Sequence, residues 1–294
     1  MALAARTPKP RSPKPIWDRP AGRWIRIYIP LFLFILVTLF PFYWMIVTSF
    51  KSDQELLDHN ANPLFVIVPT FYHYRYLFLE SHFLQWLVNT TIIALVSTAI
   101  SLFCSILAGY ALARLRFRGA NSIGWGIFIT YLVPPTLLFL PLALLIKAFH
   151  LFNNLFALIL TYPTFLIPFC TWLLIGYFKS IPRELEESAL VDGATRLQAM
   201  FRIVIPLALP GILSAGMFAF TLSWGEFLYA LIFMNDTQTK TLPVGIVQEL
   251  IRGDDFFWGQ LMAAALLASI PVALLYSFFV EYFVAGMTAG AVKG

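Results

Sequence analysis

Long apolar runs alternate with short polar segments along this chain of 294 residues. Each run is longer than the roughly 20 residues that a helix needs to cross a hydrocarbon core of about 30 Å. The runs predict six transmembrane helices, near residues 24–48, 84–112, 123–149, 156–178, 207–233 and 260–286. The third run contains Pro134, Pro135 and Pro141, so we expect a kinked or broken helix that faces protein or a water-filled path. The pattern therefore predicts an all-α membrane protein.

The longest strongly polar segment between apolar runs spans residues 180–206. Pro182 lies near an expected helix start, where its missing N–H costs nothing. The first turn is rich in carboxylates, which the helix dipole favours there. These carboxylates belong to Glu184, Glu186 and Glu187. Asp192-Gly193 indicates a turn, and Thr195 to Gln198 has the spacing of a capping box that restarts a helix. We therefore expect two short helices joined at Gly193.

Composition supports the membrane assignment. Hydrophobic residues make up 60% of the chain and charged residues 12%, with a mean hydropathy of +0.78. A soluble domain usually carries about 25% charged residues. Residues 1–23 are rich in Pro, Arg and Lys and are expected to form a disordered basic tail ahead of a transmembrane domain at 24–294. The loops at 50–83 and 235–259 are too short for cores of their own, since chains below about 40 residues rarely fold alone. We expect both loops to pack on the spans or on a partner.

Lysine and arginine placement predicts the orientation. Fifteen of the 20 cations lie in the N-terminal tail, at the start of the first span (Arg26) and in the segments after spans two, four and six, and five lie on the other side. Cationic residues bias short loops toward the cytoplasm. Both termini and residues 180–206 are therefore expected to be cytoplasmic.

Enzyme signatures are absent from the sequence, including P-loop, HExxH and GxSxG patterns. An intramembrane enzyme would need a nucleophile and a base, and no such pair is evident. The four histidines lie in loops or at span ends, where solvated surface positions are expected. They are His59, His73, His82 and His150. We therefore expect no catalytic residue, bound cofactor or metal in this chain.

Glu226 is a carboxylate inside the fifth predicted span, and an ionisable group in hydrocarbon is a functional candidate. The sequence leaves open a place on the translocation path or a packing role. Sugar sites pair aromatic faces with hydroxyl and amide groups. Path candidates of these types are Asn89, Thr90, Thr91, Tyr131, Thr136, Tyr162, Trp172, Trp224, Glu226 and Tyr229. Aromatic packing and lipid-facing anchors are the alternatives for the Tyr and Trp residues.

Residues 180–206 resemble the EAA loop of the ABC-importer permeases of prokaryotic inner membranes, whose pattern is Glu-Ala-Ala, Gly, then Ile-x-Leu-Pro. We call this segment the coupling stretch. Ser188 replaces the first Ala of that pattern, and Ile205 replaces the Leu. In this family the loop docks on a cytoplasmic ATPase. The resemblance implies that the coupling residues are Glu186, Glu187, Ser188, Ala189, Asp192, Gly193, Ala194, Ile203 and Pro206.

The resemblance extends over nearly all of residues 24–294. Asn89-Thr90-Thr91, Tyr110 to Arg114 and the tail Gly286 to Gly294 are similar to the smaller permease subunits of carbohydrate importers such as the maltose importer. In Ser223-Trp224-Gly225-Glu226-Phe227, Gly225 replaces the Asn that is common in those permeases. A functional role of that Asn side chain is therefore less readily assigned to this position. The loop between the last two spans contacts the binding protein in such permeases. This implies a contact at Thr241, Leu242, Pro243, Val244 and Gly245.

The resemblance implies a type I ABC-importer permease subunit with six transmembrane helices, which carries a sugar or sugar derivative by alternating access. The implied partners are a second permease in a heterodimer, two ATPases that bind ATP and Mg, a periplasmic or lipid-anchored solute-binding protein and the lipid bilayer, without nucleic acid. One alternative is a permease of the same superfamily for glycerol phosphate, a polyamine or an amino acid. A stand-alone secondary transporter is the other, and it would need midplane charges or an inverted repeat.

The cation bias makes a testable prediction about topology. After replacement of Cys104 and Cys170, cysteines introduced singly by Thr239→Cys and Thr195→Cys should react from opposite sides of the membrane. An impermeant maleimide should label the Thr239→Cys variant in intact cells and the Thr195→Cys variant only after lysis. Labelling of the Thr195→Cys variant in intact cells would reverse the predicted orientation.

Overall fold

A computed structural model of the chain describes residues 24–289, except for the side chains of residue 25 and residues 281–289. The predicted tail 1–23 and the last five residues lie outside the described residues. The helices are α1 (Ile29–Phe50), α2 (Asp53–Leu57), α3 (Tyr72–Arg75), α4 (Phe83–Arg114), α5 (Ala120–Leu132), α6 (Pro135–Ala148), α7 (Leu155–Thr161), α8 (Pro163–Ser180), α9 (Glu184–Val191), α10 (Arg196–Ala199), α11 (Ile205–Leu207), α12 (Leu209–Trp224), α13 (Leu228–Phe233), α14 (Leu242–Leu250) and α15 (Trp258–Ala289). Single π-helical turns occupy Trp24–Tyr28, Tyr76–Glu80 and Met200–Val204, and a two-stranded hairpin pairs β1 (Ile251–Arg252) with β2 (Asp255–Phe256).

Four helical segments within 24–289 are long and apolar enough to cross a membrane, and the number rises to six if each of two bent helix pairs counts as one span. The four are Arg26–Phe50, Phe83–Arg114, Leu155–Ser180 and Trp258–Val280. They coincide with the first, second, fourth and sixth apolar runs of the sequence. One bent pair, Ala120–Leu132 with Pro135–Ala148, lies in the third run, and the other, Arg196–Leu207 with Leu209–Trp224, joins the coupling stretch to the first part of the fifth run.

The third run is a broken helix, as its prolines predicted. Helices α5 and α6 meet at 93° across Val133 and Pro134. Val133 is extended, with ψ 119°, because the ring of a following proline disfavours the helical conformation. Pro135 then begins α6, where the missing N–H is tolerated.

The fifth run differs from the single helix that we expected over residues 207–233. Helix α12 ends at Trp224, and α13 begins only at Leu228. At the other end, the segment 196–207 bends by 74° into α12 at Ala208. Proline at 206 and 210 and glycine at 225 are the residues that interrupt regular helix here.

Helix α4 lies at the centre of the bundle and packs along α8 and α12. Small residues allow close approach on both sides. A Cβ at Gly109 would lie 3.2 Å from Cβ of Leu174 on α8, and one at Gly216 of α12 would lie 3.1 Å from Leu102. Among the described residues, buried side chains form two clusters, one between α4, α8 and α12 and a second around Trp86, near the Phe83 end of α4. Helix α4 thus contributes side chains to both clusters.

His73 is a correction to the expectation of solvated histidines, because its side chain is fully buried. Its Nε2 lies 2.7 Å from the carbonyl oxygen of Lys51, and its ring packs directly on Gly259 at the start of α15. The histidine therefore joins loop 50–83 to α15. This contact agrees with the expectation that the loop packs on the spans.

The contact between Gly245 and Trp86 predicts a destabilising substitution. A Cβ at residue 245 would lie 2.2 Å from the Trp86 ring, so Gly245→Ala requires that the ring or the loop move. Overpacking of this kind costs about 1–3 kcal/mol. We expect a lower midpoint of thermal unfolding in detergent. Gly176→Ala, where the added Cβ meets nothing within 4 Å, is the control and should not lower the midpoint.

Candidate functional site

The coupling stretch has the two-helix form that its sequence predicted. Helix α9 ends at Val191, and Gly193 adopts a left-handed conformation with φ +90°. Thr195 then caps α10 in a complete capping box with Gln198. The glycine is needed at the turn, because a side chain at this φ is strained.

Glu186 is the residue of the coupling stretch that faces inward. Its side chain is almost completely buried against the Arg114 end of α4. The Tyr110 hydroxyl donates to Oε1 of Glu186 (2.5 Å), and Nε of Arg114 lies 3.6 Å from Oε2. Arg114 also donates from Nη2 to the carbonyl oxygen of Ile181 (2.8 Å). Glu186 therefore joins α9 to α4, in contrast to the neighbouring carboxylates.

Most of the other predicted coupling residues are exposed. Glu187, Ser188, Asp192, Gly193 and Pro206 are exposed, while Ala189, Ala194 and Ile203 are half-buried. Apolar side chains on the same segment are also exposed, with Val191 at 87% and Leu197 at 65%. An exposed apolar surface beside charged groups is typical of a protein–protein contact.

Charged groups surround a cavity of about 540 Å³ between the coupling stretch and the residues that follow α4. Its lining includes Arg114, Arg116, Arg183, Arg196, Glu186 and Glu187. Arg183 also donates from Nη2 to the carbonyl oxygen of Ala113 (3.2 Å), which closes one wall. The cavity carries an excess of positive charge, so it favours an anionic group of a partner.

Glu226 lies in the gap between α12 and α13 and binds the first turn of α13. Its carboxylate accepts hydrogen bonds from the backbone N–H of Tyr229 (2.8 Å) and of Ala230 (3.2 Å). The hydroxyl of Tyr162 donates a third, of 2.8 Å. The hydroxyl of Tyr229 in turn donates to the carbonyl oxygen of Pro135 (2.9 Å), at the break between α5 and α6. Glu226 therefore satisfies helix-start N–H groups and connects two broken segments.

The structure separates the path candidates into different environments. Tyr162 and Tyr229 are fully buried in the contacts just described, and the indole of Trp224 donates to the carbonyl oxygen of Ala268 on α15 (3.1 Å). Tyr131 and Thr136 are exposed on either side of the α5–α6 break. Of the others, Thr91 donates to the carbonyl oxygen of Leu87, and Trp172 packs on Phe128.

Asn89 and Thr90 hold loop 235–259 together with Trp86, and we call these three residues the outer clamp. Trp86 Nε1 donates to the carbonyl oxygen of Thr237 (2.8 Å). Asn89 Nδ2 donates to the carbonyl oxygens of Gln238 (2.8 Å) and Lys240 (2.9 Å). The backbone N–H of Leu242 donates to Oγ1 of Thr90 (2.7 Å). Both Asn89 and Thr90 are thus engaged within the chain.

The predicted binding-protein residues lie mostly inside this chain. Thr241, Leu242, Val244 and Gly245 are buried, and Pro243 is half-buried. Exposed side chains occur before and after them in the loop. These include Asn235, Asp236, Gln238, Val247 and Gln248. The contact at 241–245 stays a prediction.

Sequence reasoning did not find Trp86, Tyr110 or Arg114 as members of a site. The signal was their helical spacing. Trp86 precedes Asn89 and Thr90 by three and four residues, and Tyr110 precedes Arg114 by four, so each set lies on one helix face. The spacing shows which side chains share a face, but not which segment meets that face.

Loss of the Glu226 carboxylate should destabilise the protein. In Glu226→Gln, one oxygen is replaced by an NH₂ donor, so a buried N–H or hydroxyl loses its acceptor, which costs about 1–3 kcal/mol. We expect a lower thermal midpoint in detergent than for Tyr162→Phe, which removes only one hydrogen bond. An unchanged midpoint together with altered uptake would instead place Glu226 on the path.

Three comparisons place the chain among known proteins. "Sulfoquinovosyl glycerol transport system permease protein SmoH" of Agrobacterium fabrum is 40% identical over 87% of this chain and 89% of its own length. "Trehalose/maltose transport system permease protein MalG" of Thermococcus litoralis is 34% identical over 92% of this chain and 97% of its own. A chain of the crystal structure of a bacterial ABC transporter involved in alginate import matches with a TM-score of 0.77 and 22% identity, over 90% of this chain and 98% of that one.

The alginate-transporter match shows the fold, which is that of an ABC-importer permease with a bundle of membrane helices. A family model described as "Binding-protein-dependent transport system inner membrane component" matches residues 101–289, which include the coupling stretch. The match covers more than half of the chain, and the two relatives extend the similarity over most of the remainder. The chain belongs to the family of binding-protein-dependent transport system inner membrane components.

Proposed function

We propose that this permease carries a sugar or sugar derivative and that its coupling stretch docks on a cytoplasmic ATPase. As a family member, the chain is a permease subunit of an ATP-driven importer. The observation that carries the proposal is the coupling stretch, in which one carboxylate is fixed inward and the surrounding surface is free.

The shape of the coupling stretch supports docking. Glu186 is held by α4, so α9 has a defined orientation, while Glu187, Val191 and Asp192 remain exposed. Gly193 has no side chain at the turn, so a partner surface can approach the backbone closely. An exposed apolar residue with flanking charges provides both contact area and specificity.

The names of the two relatives support a carbohydrate-like solute, since one is a trehalose/maltose permease and the other a sulfoquinovosyl glycerol permease. Tyr131 and Thr136 are the path candidates exposed at the α5–α6 break, so they are the ones we assign to solute contact. A tyrosine ring and a hydroxyl can match the apolar face and polar rim of a sugar.

Exposed apolar helix faces support an assembly with other subunits in the membrane. In the most apolar stretch of the Arg26–Phe50 span, only 11% of the residues are buried within this chain. The same fraction is buried in the Trp258–Val280 span. We propose that a second, different permease covers part of this surface and that lipid covers the rest. Two ATPase subunits, which bind ATP and Mg, and a solute-binding protein complete the importer, and this chain itself performs no covalent chemistry.

The orientation proposed here follows the cation bias of the sequence, with both termini and the coupling stretch in the cytoplasm. This placement puts the arginine-lined cavity and the exposed face of α9 on the side of the ATPases. The outer clamp then lies on the side of the binding protein, where Asn235, Asp236 and Gln238 are exposed.

Changes to the coupling stretch should uncouple transport without loss of the membrane fold. Gly193→Val places a β-branched side chain at φ +90°, where strain is on the order of 1–3 kcal/mol. That equals a typical coupling free energy of about 1–3 kcal/mol between sites. Glu187→Lys reverses an exposed charge on the same face. We expect normal membrane insertion of both variants, with loss of ATPase copurification and of uptake of radiolabelled saccharides.

Gly253→Val is the matched control, because Gly253 also has positive φ (+62°) and no neighbour within 4 Å of an added Cβ, but it lies in the β1–β2 hairpin. This variant carries similar strain away from the coupling stretch and should retain the ATPase. Wild-type copurification and uptake in both Gly193→Val and Glu187→Lys would show that the stretch is an ordinary loop.

A further inference from the structure

We infer that α4 transmits movement between the coupling stretch and loop 235–259, and that Glu186 and Asn89 are the positioning residues at its two ends. The inference rests on the proposed docking of the coupling stretch and goes beyond it, because it assigns an internal route within this chain. It follows from the fact that the same helix is hydrogen-bonded to both segments.

At one end, α4 and α9 are joined by buried charged groups. Both carboxylate oxygens of Glu186 are engaged, one by the Tyr110 hydroxyl and the other by the guanidinium of Arg114. If α9 moved alone, the buried carboxylate of Glu186 and the buried guanidinium of Arg114 would each lose the opposite charge that it faces, which is strongly unfavourable. Arg114 and Arg183 add hydrogen bonds to backbone carbonyls of the facing segments. Helix α9 and this end of α4 must therefore move together.

At the other end, the outer clamp makes four hydrogen bonds to the backbone of residues 237–242. Three of the acceptors are backbone carbonyl oxygens, so the contact depends on loop conformation rather than on the loop's side chains. Gly245 packs closely against the Trp86 ring, where there is no room for a Cβ. The loop consequently follows any displacement of the Phe83 end of α4.

Helix α4 has the length and rigidity to connect these contacts. It contains 32 residues, and a rise of about 1.5 Å per residue gives a length of roughly 48 Å. Among the four described segments that could cross a membrane unbroken, it is the one without proline. The third apolar run is bent by 93°. The fifth is bent by 74° where it joins the coupling stretch and is interrupted again between Trp224 and Leu228, so both runs can absorb movement at these breaks. A continuous helix instead passes a displacement from one end to the other.

The experiment places a fluorophore on the loop and drives movement from the ATPase side. In a background without Cys104 and Cys170, Gln238→Cys is labelled on the exposed loop, and the complex with its copurified ATPase is reconstituted in nanodiscs. The probe is Mg·ATP with vanadate. We measure the change in emission on trapping, per copurified complex, in the parent and in variants Glu186→Ala, Asn89→Ala and the double variant. Glu184→Ala, an exposed neighbour on α9, is the control.

We expect a clear emission change in the parent and in Glu184→Ala. Both single variants should reduce it about 5-fold or more, which is the lower end of typical coupling between sites. The double variant should reduce it no further than the single variants, since both changes interrupt one route. ATPase copurification should be unchanged in Asn89→Ala, because residue 89 lies near the opposite end of α4 from the coupling stretch. For Glu186→Ala the emission change is compared per copurified complex, so a smaller amount of bound ATPase does not alter the comparison. Glu186→Gln and Tyr110→Phe, which keep the side-chain shape, replace Glu186→Ala if that variant is produced poorly.

A full emission change in Glu186→Ala or Asn89→Ala would overturn the inference, and so would a double variant whose loss equals the sum of two partial losses. Failure of the ATPase to copurify with the parent chain would be a different result, because it contradicts docking of the coupling stretch itself. A purely structural role of Glu186 would lower yield but leave the emission change per assembled complex intact, which also contradicts the proposed route.

Discussion

The broken helices of this permease depend on the carboxylate of Glu226, which accepts hydrogen bonds from backbone N–H groups at a helix break. Backbone groups freed by a helix break within the bilayer find no water, so they must be satisfied inside the protein. Glu226 accepts the N–H groups of Tyr229 and Ala230 and the hydroxyl of Tyr162. Tyr229 then reaches the second break at Pro135. One side chain thus stabilises the irregular segments that give the bundle its bends.

Helix α4 contrasts with these irregular segments. It is continuous, and its buried neighbours on α8 and α12 approach it closely at glycines. The bundle therefore combines a rigid central element with flanking helices that bend at proline and glycine. Alternating access needs both properties, because a rigid helix transmits movement along its length while bent helices change shape to accommodate it.

Residue types and spacing predicted the local features of this fold. Apolar run lengths located the helices, the prolines at 134 and 135 located a break, and Thr195 with Gln198 located a helix start. The interior contacts could not be predicted, because Glu186 meets Tyr110 across 76 positions and Trp86 meets Thr237 across 151. Periodicity gives the face of a helix, while the partner of that face depends on the packed topology.

The outer clamp affects how tightly loop 235–259 can bind a partner. A loop that must be ordered when a partner arrives loses conformational entropy at that moment, which weakens binding. Residues 237–242 are already fixed on α4 by four hydrogen bonds, so little ordering remains to be induced by the binding protein that we propose as the partner of this loop. The affinity of such a preorganised surface depends mainly on the quality of the contacts, which sets the dissociation rate. A loop freed from Asn89 and Thr90 would make the same contacts and still bind more weakly.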